Sequence, residues 1–241
     1  NWVVTNWFRP QYYYDSGGWR ATWKGEGGGV LMNQCPHNID LLQWMCGMPV
    51  RMRAFCNLGK RHRIEVEDEV TAYFEYANGA TGLFVTATGE APGANRLEIC
   101  GDRGRLIVEQ GKITFQRTEV SVTRFREESR EMFATPELWT IEVPPARGGG
   151  GQHNEILTNF TDAILDGVPL IAPAEEGIRS VELANAMLLS SMTGETIELP
   201  MDAARYEAHL MKLIEKSSFK KLVQENAKPV DLSSSFNTNP K

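Results

Sequence analysis

Basic charge is what this chain has least of relative to what nucleic-acid binding demands. Its 25 Lys and Arg face 31 Asp and Glu, a formal net charge of -6, whereas phosphate-rich partners and anionic membranes need clustered cations. No uninterrupted apolar run approaches the roughly 20 residues of a membrane span, and Asn1 to Arg9 carry neither the basic nor the apolar region of a secretion signal. These absences predict no nucleic-acid partner and no membrane partner. The four cysteines, Cys35, Cys46, Cys56 and Cys100, contain no C-x-x-C pair, so a zinc knuckle or a redox dithiol is not expected. They read as reduced structural thiols in a cytoplasmic protein with no metal. No internal repeat occurs, and the only low-complexity stretch, residues 148–151, reads as a loop. No methionine opens the chain, which begins at Asn1 and runs directly into the strand-like residues 2–8; the expectation is that a preceding part of the same gene is missing.

What is present suits a globular protein. The 241 residues, 41% hydrophobic and 23% charged, can bury a sizeable core. Ile64, Val66, Val70, Ala72, Phe74 and Tyr76 alternate with Glu65, Glu67, Glu69, Thr71 and Glu75, the period of a half-buried strand with its glutamates on the solvated face or in a subunit contact. Asn78-Gly79 predicts a type I′ hairpin, returning through Leu83, Val85 and Ala87. Turns at residues 102–104 and 110–111 separate predicted strands at 96–100, 105–108 and 113–116, an antiparallel meander. Residues 120–133 and 138–143 are expected to add strands. From Gln152 the period changes: Ile156, Phe160 and Ile164 mark the apolar face of a helix ending near Gly167. A second helix is expected from about Pro173 to Gly194, and a third over residues 203–216, burying Tyr206, Leu210, Leu213 and Ile214. Helices after a run of strands read as α+β: an open, predominantly antiparallel sheet with helices packed on one face. Residues 1–226 are expected to form one domain and residues 227–241 a polar, mobile tail.

The chemistry concentrates between Trp19 and Gly47. Gly27, Gly28 and Gly29 can bring backbone N–H groups close to a ligand, although the stretch has the form of neither a phosphate loop nor a dinucleotide fingerprint. His37 is the leading candidate for acid–base work, because imidazole exchanges its proton near neutral pH. If a helix begins at Pro36, His37 lies in its first turn, where the dipole disfavours the charged ring. Asp40, three residues on, could then orient that ring. The same residues also read as a helix-terminal capping pair. Asn33 shares their face only if the helix starts earlier and Pro36 kinks it. His62 and His209, in charged surroundings, read as surface residues, and His153 as a helix cap or a site residue. Trp2, Trp7, Phe8, Tyr12, Tyr13, Tyr14, Trp19 and Trp23 suit either a core or a sugar-stacking wall.

The run Glu26-Gly-Gly-Gly-Val-Leu-Met-Asn-Gln-Cys-Pro-His37-Asn-Ile-Asp40-Leu-Leu-Gln-Trp, followed by Gly47-Met-Pro, resembles the signature of the Gfo/Idh/MocA oxidoreductases, which include glucose-fructose oxidoreductase and inositol dehydrogenase. Trp19-Arg20, the acidic strand with its Asn-Gly hairpin and the segment opening at His153-Asn-Glu are similar to that family's second domain, so the resemblance extends over most of the chain. It implies an enzyme with an N-terminal Rossmann domain carrying NAD or NADP, followed by this C-terminal substrate-binding and oligomerisation domain, whose free sheet face joins subunits into a dimer or tetramer. It implies oxidation of a sugar or polyol hydroxyl, with His37 matching the catalytic proton acceptor and Asp40 its partner. Asn33 matches a position where many relatives have aspartate, which points to hydrogen bonding with a substrate hydroxyl. Trp19 and Arg20 match a segment near cofactor and substrate, and His153 is carried as a further substrate contact. The glycine-rich cofactor fingerprint and the family's Glu-Lys-Pro motif do not occur here, so the main cofactor site is expected outside this chain and the chain alone is expected to be inactive. An NAD-dependent glycosidase on the same scaffold and a non-catalytic sugar-binding or assembly module are the competing readings.

Overall fold

Buried and exposed side chains alternate over residues 70–75, so one face of this strand is core and the other open. The computed structural model describes residues 1–144 and 151–217; the expected tail at 227–241 and residues 148–150 of the expected loop lie outside the described residues. In chain order the elements are β1 (Trp2–Val4), α1 (Gln11–Asp15), α2 (Pro36–Cys46), β2 (Arg51–Leu58), β3 (Glu67–Glu75), β4 (Thr81–Ala87), β5 (Asn95–Gly101), β6 (Gly104–Glu109), β7 (Lys112–Thr118), α3 (Val122–Glu128), β8 (Leu138–Val143), α4 (Gln152–Asp166), α5 (Gly177–Thr193, after a single 3-10 turn), β9 (Ile197–Glu198) and α6 (Ala203–Lys216). The strands form one open sheet in the order β8-β7-β6-β5-β1-β4-β3-β2-β9. Every pairing is antiparallel except β1 with β4, as the α+β reading expects.

The core lies where α2 and α5 meet the β1–β4 half of the sheet, with Phe74, Phe84, Leu31, Ile39, Met52 and Met187 among the side chains fully withdrawn from solvent. Beyond its short pairing with β9, the outer edge of β2 is satisfied by a helix: Ala54 N–H donates to Ser190 Oγ at 3.0 Å and Cys56 N–H to Ser191 Oγ at 2.9 Å. Two serines of α5 thus blunt an edge that would otherwise offer unpaired donors.

The structure corrects several expectations. Residues 120–133 contain no strand but the helix α3, because Ser121 caps it by accepting from Arg124 N–H at 3.1 Å, Asp102 accepts from Thr123 N–H at 2.8 Å, and Arg124 pairs with Glu128 one turn on. The Asn78-Gly79 turn is a three-residue loop closed by Gly79 N–H to Tyr76 O at 2.9 Å, with positive φ at Gly79 and not at Asn78, so it is not type I′. In α4, Ile156, Phe160 and Ile164 lie on one helix as predicted, but all three are exposed among the described residues. The acidic face of β3 is the largest departure. The pairing of β2 with β3 slips between Asn57 and Leu58, so that Asn57 faces Glu69 but Leu58 faces Glu67. The extra residue turns Glu67 and Asp68 inward, and both are completely buried.

Asp68 finds its partners at once, accepting from the N–H groups of Lys60, Arg61 and His62 at 3.1, 2.8 and 2.9 Å. His62 is therefore not a surface residue. Its Nδ1 lies 3.0 Å from Asp68 Oδ2, its Nε2 donates to the Arg9 carbonyl at 2.8 Å, and its ring packs against Tyr14. Charged neighbours in sequence misled here because their backbones, rather than their side chains, face the buried carboxylate.

Candidate functional site

Two segments are held against the buried half of the sheet, and of the sequence-predicted residues Trp19, Arg20 and Asn33 sit on the second of them, while His37 and Asp40 lie on α2 and His153 on α4. The first runs from β1 through α1. Arg9 N–H donates to Thr88 O at 2.8 Å, and Tyr14 OH donates to Thr88 Oγ1 at 2.8 Å; burial pushes the Tyr14 phenol up to about 12. The second is the loop from Trp19 to Cys35, which contains the three glycines.

The glycines serve the fold before any ligand. Gly28 and Gly29 are buried, and Gly29 N–H and Leu31 N–H both donate to Glu67 Oε1, at 2.8 and 3.1 Å. Val30 N–H donates to the Glu67 carbonyl at 3.0 Å. A Cβ on Gly29 would lie 2.0 Å from that carbonyl oxygen and 2.9 Å from Val66 Cγ2, so only glycine allows the loop this close. The expectation that the glycine N–H groups line a ligand site is therefore corrected for Gly29, whose donor, like that of Leu31, meets an internal carboxyl group. Gly29→Ala is expected to destabilise the fold by about 3 kcal/mol or more, since backbone must yield. Gly27→Ala, whose Cβ would meet nothing within 4 Å although its φ is +75, is expected to cost only about 1 kcal/mol. Chemical denaturation of the two variants checks the contrast.

Burial pushes the Glu67 carboxyl up to about 7; the loop N–H groups pull the other way, and Glu26 adds a smaller upward push. Its Oε2 is buried without a hydrogen-bond partner, as is the Tyr206 hydroxyl. Burial raises Tyr206, Cys35 and Cys56, and the Glu67 charge adds to each.

After this clamp the loop turns into α2 with Pro36 in its first turn, so the helix starts where the later of the two expected starts puts it. Asn38, behind His37, is buried and accepts from Trp7 Nε1 at 3.3 Å. His37 itself is exposed on the first turn. Asp40 is also exposed, and it accepts from Gln43 Nε2 at 3.0 Å rather than from His37. The expected His37–Asp40 capping or orienting pair does not form; Gln43, one turn beyond Asp40, is the donor to its carboxylate.

Asn33, Arg20 and Trp19 are brought together through a residue that sequence reading did not single out, Tyr13. Arg20 Nη1 donates to Tyr13 OH at 2.6 Å, and Tyr13 OH donates to Asn33 Oδ1 at 3.0 Å. Gln34 Nε2 donates to the same Oδ1 at 2.9 Å, and Asn33 Nδ2 donates to Glu26 Oε1. Glu26 also accepts from Ala21 N–H, at 2.6 Å. The Arg20 guanidinium lies 4.5 Å from the Tyr13 ring centre and 4.7 Å from that of Trp19, while Arg9 lies 5.1 Å from the Tyr13 ring. An aspartate at position 33 would set its charge against Glu26, which gives a physical reason for an amide here. The aromatic cluster divides accordingly: Trp2, Tyr14 and Trp23 are core, Trp7 and Tyr13 are partly buried, and Phe8, Tyr12 and Trp19 are exposed. Tyr13 was hidden among three consecutive tyrosines; a five-residue helix that buries Tyr14 and leaves Tyr12 outside turns Tyr13 toward the loop. His153 stands apart from this group, exposed on α4, and the helix start there is capped by Glu155 accepting from Gly151 N–H at 2.8 Å, not by the histidine. Among the described residues no cluster of three or more His, Cys, Asp or Glu is arranged to hold a metal ion, and no helix is long and apolar enough to cross a membrane.

Residues 3–199 match the family model described as the oxidoreductase family, C-terminal alpha/beta domain. Among solved structures, the WlbA dehydrogenase from Bordetella pertussis, in complex with NADH and UDP-GlcNAcA, is 27% identical with a TM-score of 0.57, over 83% of this chain and 54% of that one. Levoglucosan dehydrogenase, in complex with NADH and levoglucosan, is 17% identical with a TM-score of 0.59, over 82% and 57%. An NAD-binding protein from Listeria innocua is 21% identical with a TM-score of 0.57, over 81% and 52%. The last two likenesses speak for the fold alone. The chain thus spans a little over half the length of each of these proteins.

Proposed function

The chain belongs to the Gfo/Idh/MocA oxidoreductase family, as its C-terminal alpha/beta domain, and from that premise we propose that it is the substrate-binding and oligomerisation part of an NAD(P)-dependent dehydrogenase acting on a sugar or polyol hydroxyl. The observation that carries the reading is the presentation of an exposed His37 at the start of α2, four residues after an Asn33 whose amide is oriented by Tyr13, Gln34 and Glu26. A first-turn imidazole open to solvent is free to take a hydroxyl proton. Asn33, with Arg20 and Trp19 around Tyr13, forms a polar and aromatic wall suited to a sugar ring and its hydroxyls. Asp40, exposed one turn along, adds a negative charge beside the imidazole, and His153 completes the set only if α4 is brought toward α2 in the longer protein.

This chain offers little to a dinucleotide. The donors of residues 29 and 31 are taken by Glu67, which leaves the glycine loop fewer N–H groups for a phosphate and supports confining the NAD(P) share of this chain to Trp19 and Arg20. The nicotinamide, when bound, supplies the hydride acceptor and is carried by a preceding Rossmann domain of a longer protein. UDP-GlcNAcA, the ligand of the relative at 27% identity, is the first substrate to try. The open face of the sheet, with Phe55, Tyr73 and Leu83 exposed, supports subunit contact in a dimer or tetramer. Residues 1–226 would act as one domain, and the exposed Cys46 and Cys100 thiols suit the reducing cytoplasm.

Isothermal titration of the 241-residue chain with NAD and NADP is expected to give no binding tighter than roughly micromolar. Tight, sub-micromolar binding would place the cofactor site within this chain and overturn the division of labour.

A further inference from the structure

We propose that Glu67 is the positioning residue of the candidate site: through the backbone of residues 29–31 it sets where α2 begins, and so where Asn33 and His37 stand. The proposal rests on the functional reading for what those two side chains do, but the clamp stands on geometry alone. Three consecutive loop N–H groups converge on this one residue: Gly29 and Leu31 on its carboxyl and Val30 on its carbonyl. From there the path to the site is continuous. The Gly29 carbonyl accepts from Asn33 N–H at 3.0 Å, the Val30 carbonyl accepts from Cys35 N–H at 2.9 Å, and the Cys35 carbonyl accepts from Ile39 N–H at 3.0 Å in the first turns of α2. A shift of the Glu67 side chain would therefore move the backbone that carries both functional candidates, which can cost a catalyst heavily even when it touches no reacting atom.

The surroundings argue for an acceptor rather than a charge. Glu67 is fully buried, no cation pairs with it among the described residues, and the titratable groups coupled to it are Glu26 in the loop, Cys35 ahead of α2, Cys56 on β2 and Tyr206 on α6. None of them supplies positive charge. Burial pushes the carboxyl up to about 7, consistent with a group that works mainly by accepting two N–H bonds. Glutamine retains that acceptor; methionine retains the length and loses it.

Glu67→Gln and Glu67→Met test the proposal in two readouts. In the 241-residue chain, amide hydrogen exchange over residues 29–35 is expected to stay close to the parent rate in E67Q and to rise by about tenfold or more in E67M, with β5–β7 unchanged. In the longer protein, kcat is expected to fall by about tenfold or more in E67M with KM within about threefold, and to recover in E67Q. Unchanged exchange in E67M overturns the clamp; loosened exchange with unchanged kcat overturns the positioning role. Should E67M fail to fold, E67Q decides: a protected loop with near-parent kcat supports the proposal, and a protected loop with lost kcat contradicts it. His37→Ala is the control. If it leaves turnover intact while E67M loosens residues 29–35 and lowers kcat, the clamp stands and the role assigned to His37 falls.

Discussion

Replacing His37 by Ala in the longer protein is expected to lower kcat by roughly 10²–10⁴-fold, the usual worth of a positioned general base, while KM changes by no more than about threefold. The split follows from the geometry. His37 is exposed on the first turn of α2 and takes no part in the Arg20–Tyr13–Asn33–Glu26 chain that would hold sugar hydroxyls. Its loss removes a proton acceptor without disturbing that wall. Asp40→Asn is expected to cost less, since Asp40 is held by Gln43 and not by the imidazole. Steady-state kinetics with a turned-over sugar decide the matter. Unchanged turnover in H37A would assign proton acceptance to another group or favour a non-catalytic sugar-binding or assembly module. Release of a leaving group without net cofactor reduction would favour the glycosidase reading.

The second large effect is on stability. Glu67 leaves its ordinary carboxyl value of 4.5 for about 7 in the folded protein, chiefly through burial. A raised value means that the folded state holds the proton more tightly than the unfolded chain does. The stability contributed by that proton is thus complete below about pH 4.5, is lost progressively as pH rises through 7, and changes no further above it. The span corresponds to about 3 kcal/mol. Glutamine at this position cannot ionise but still accepts from Gly29 and Leu31. E67Q is therefore expected to match the parent near pH 4.5 and to exceed it by about 3 kcal/mol at pH 8. Denaturation of both proteins across that range, taken as a difference, cancels the opposite drift from other carboxylates such as Glu69 and Asp102, whose values are lowered. A difference that stays flat with pH would show that Glu67 is already charged in the fold.

Much of this architecture was legible because short-range signals agreed with it. The turns at residues 102–104 and 110–111 give the β5–β7 meander, and Pro36 marks one of the two starts expected for α2. Where local and tertiary demands diverge, the sequence misleads. Period-two alternation puts Glu67 outside, and nothing in its neighbours reveals the register slip at Asn57 and Leu58 that turns it in. His62 looked like a surface residue for a related reason: its partner Asp68 was turned inward by the same bulge. The three glycines read as a ligand loop because a carboxyl group and a phosphate make the same demand on backbone N–H groups; only the fold reveals that the acceptor is Glu67. Of the candidate site, His37 and Pro36 were visible from residue type and position. Tyr13 and Glu26, which bind Asn33 from 20 and 7 residues away, were not, because their role exists only once α1 and the loop are brought together.

The four histidines offer the most direct test, since His37 and His153 are exposed, His209 is partly covered and His62 is buried between Asp68 and Arg9. In ring-labelled longer protein, followed by two-dimensional NMR during titration with a sugar that it turns over, the His37 resonances are expected to move with occupancy while those of His62 stay in place. A sugar that is converted yet leaves the His37 ring unmoved throughout would contradict the account.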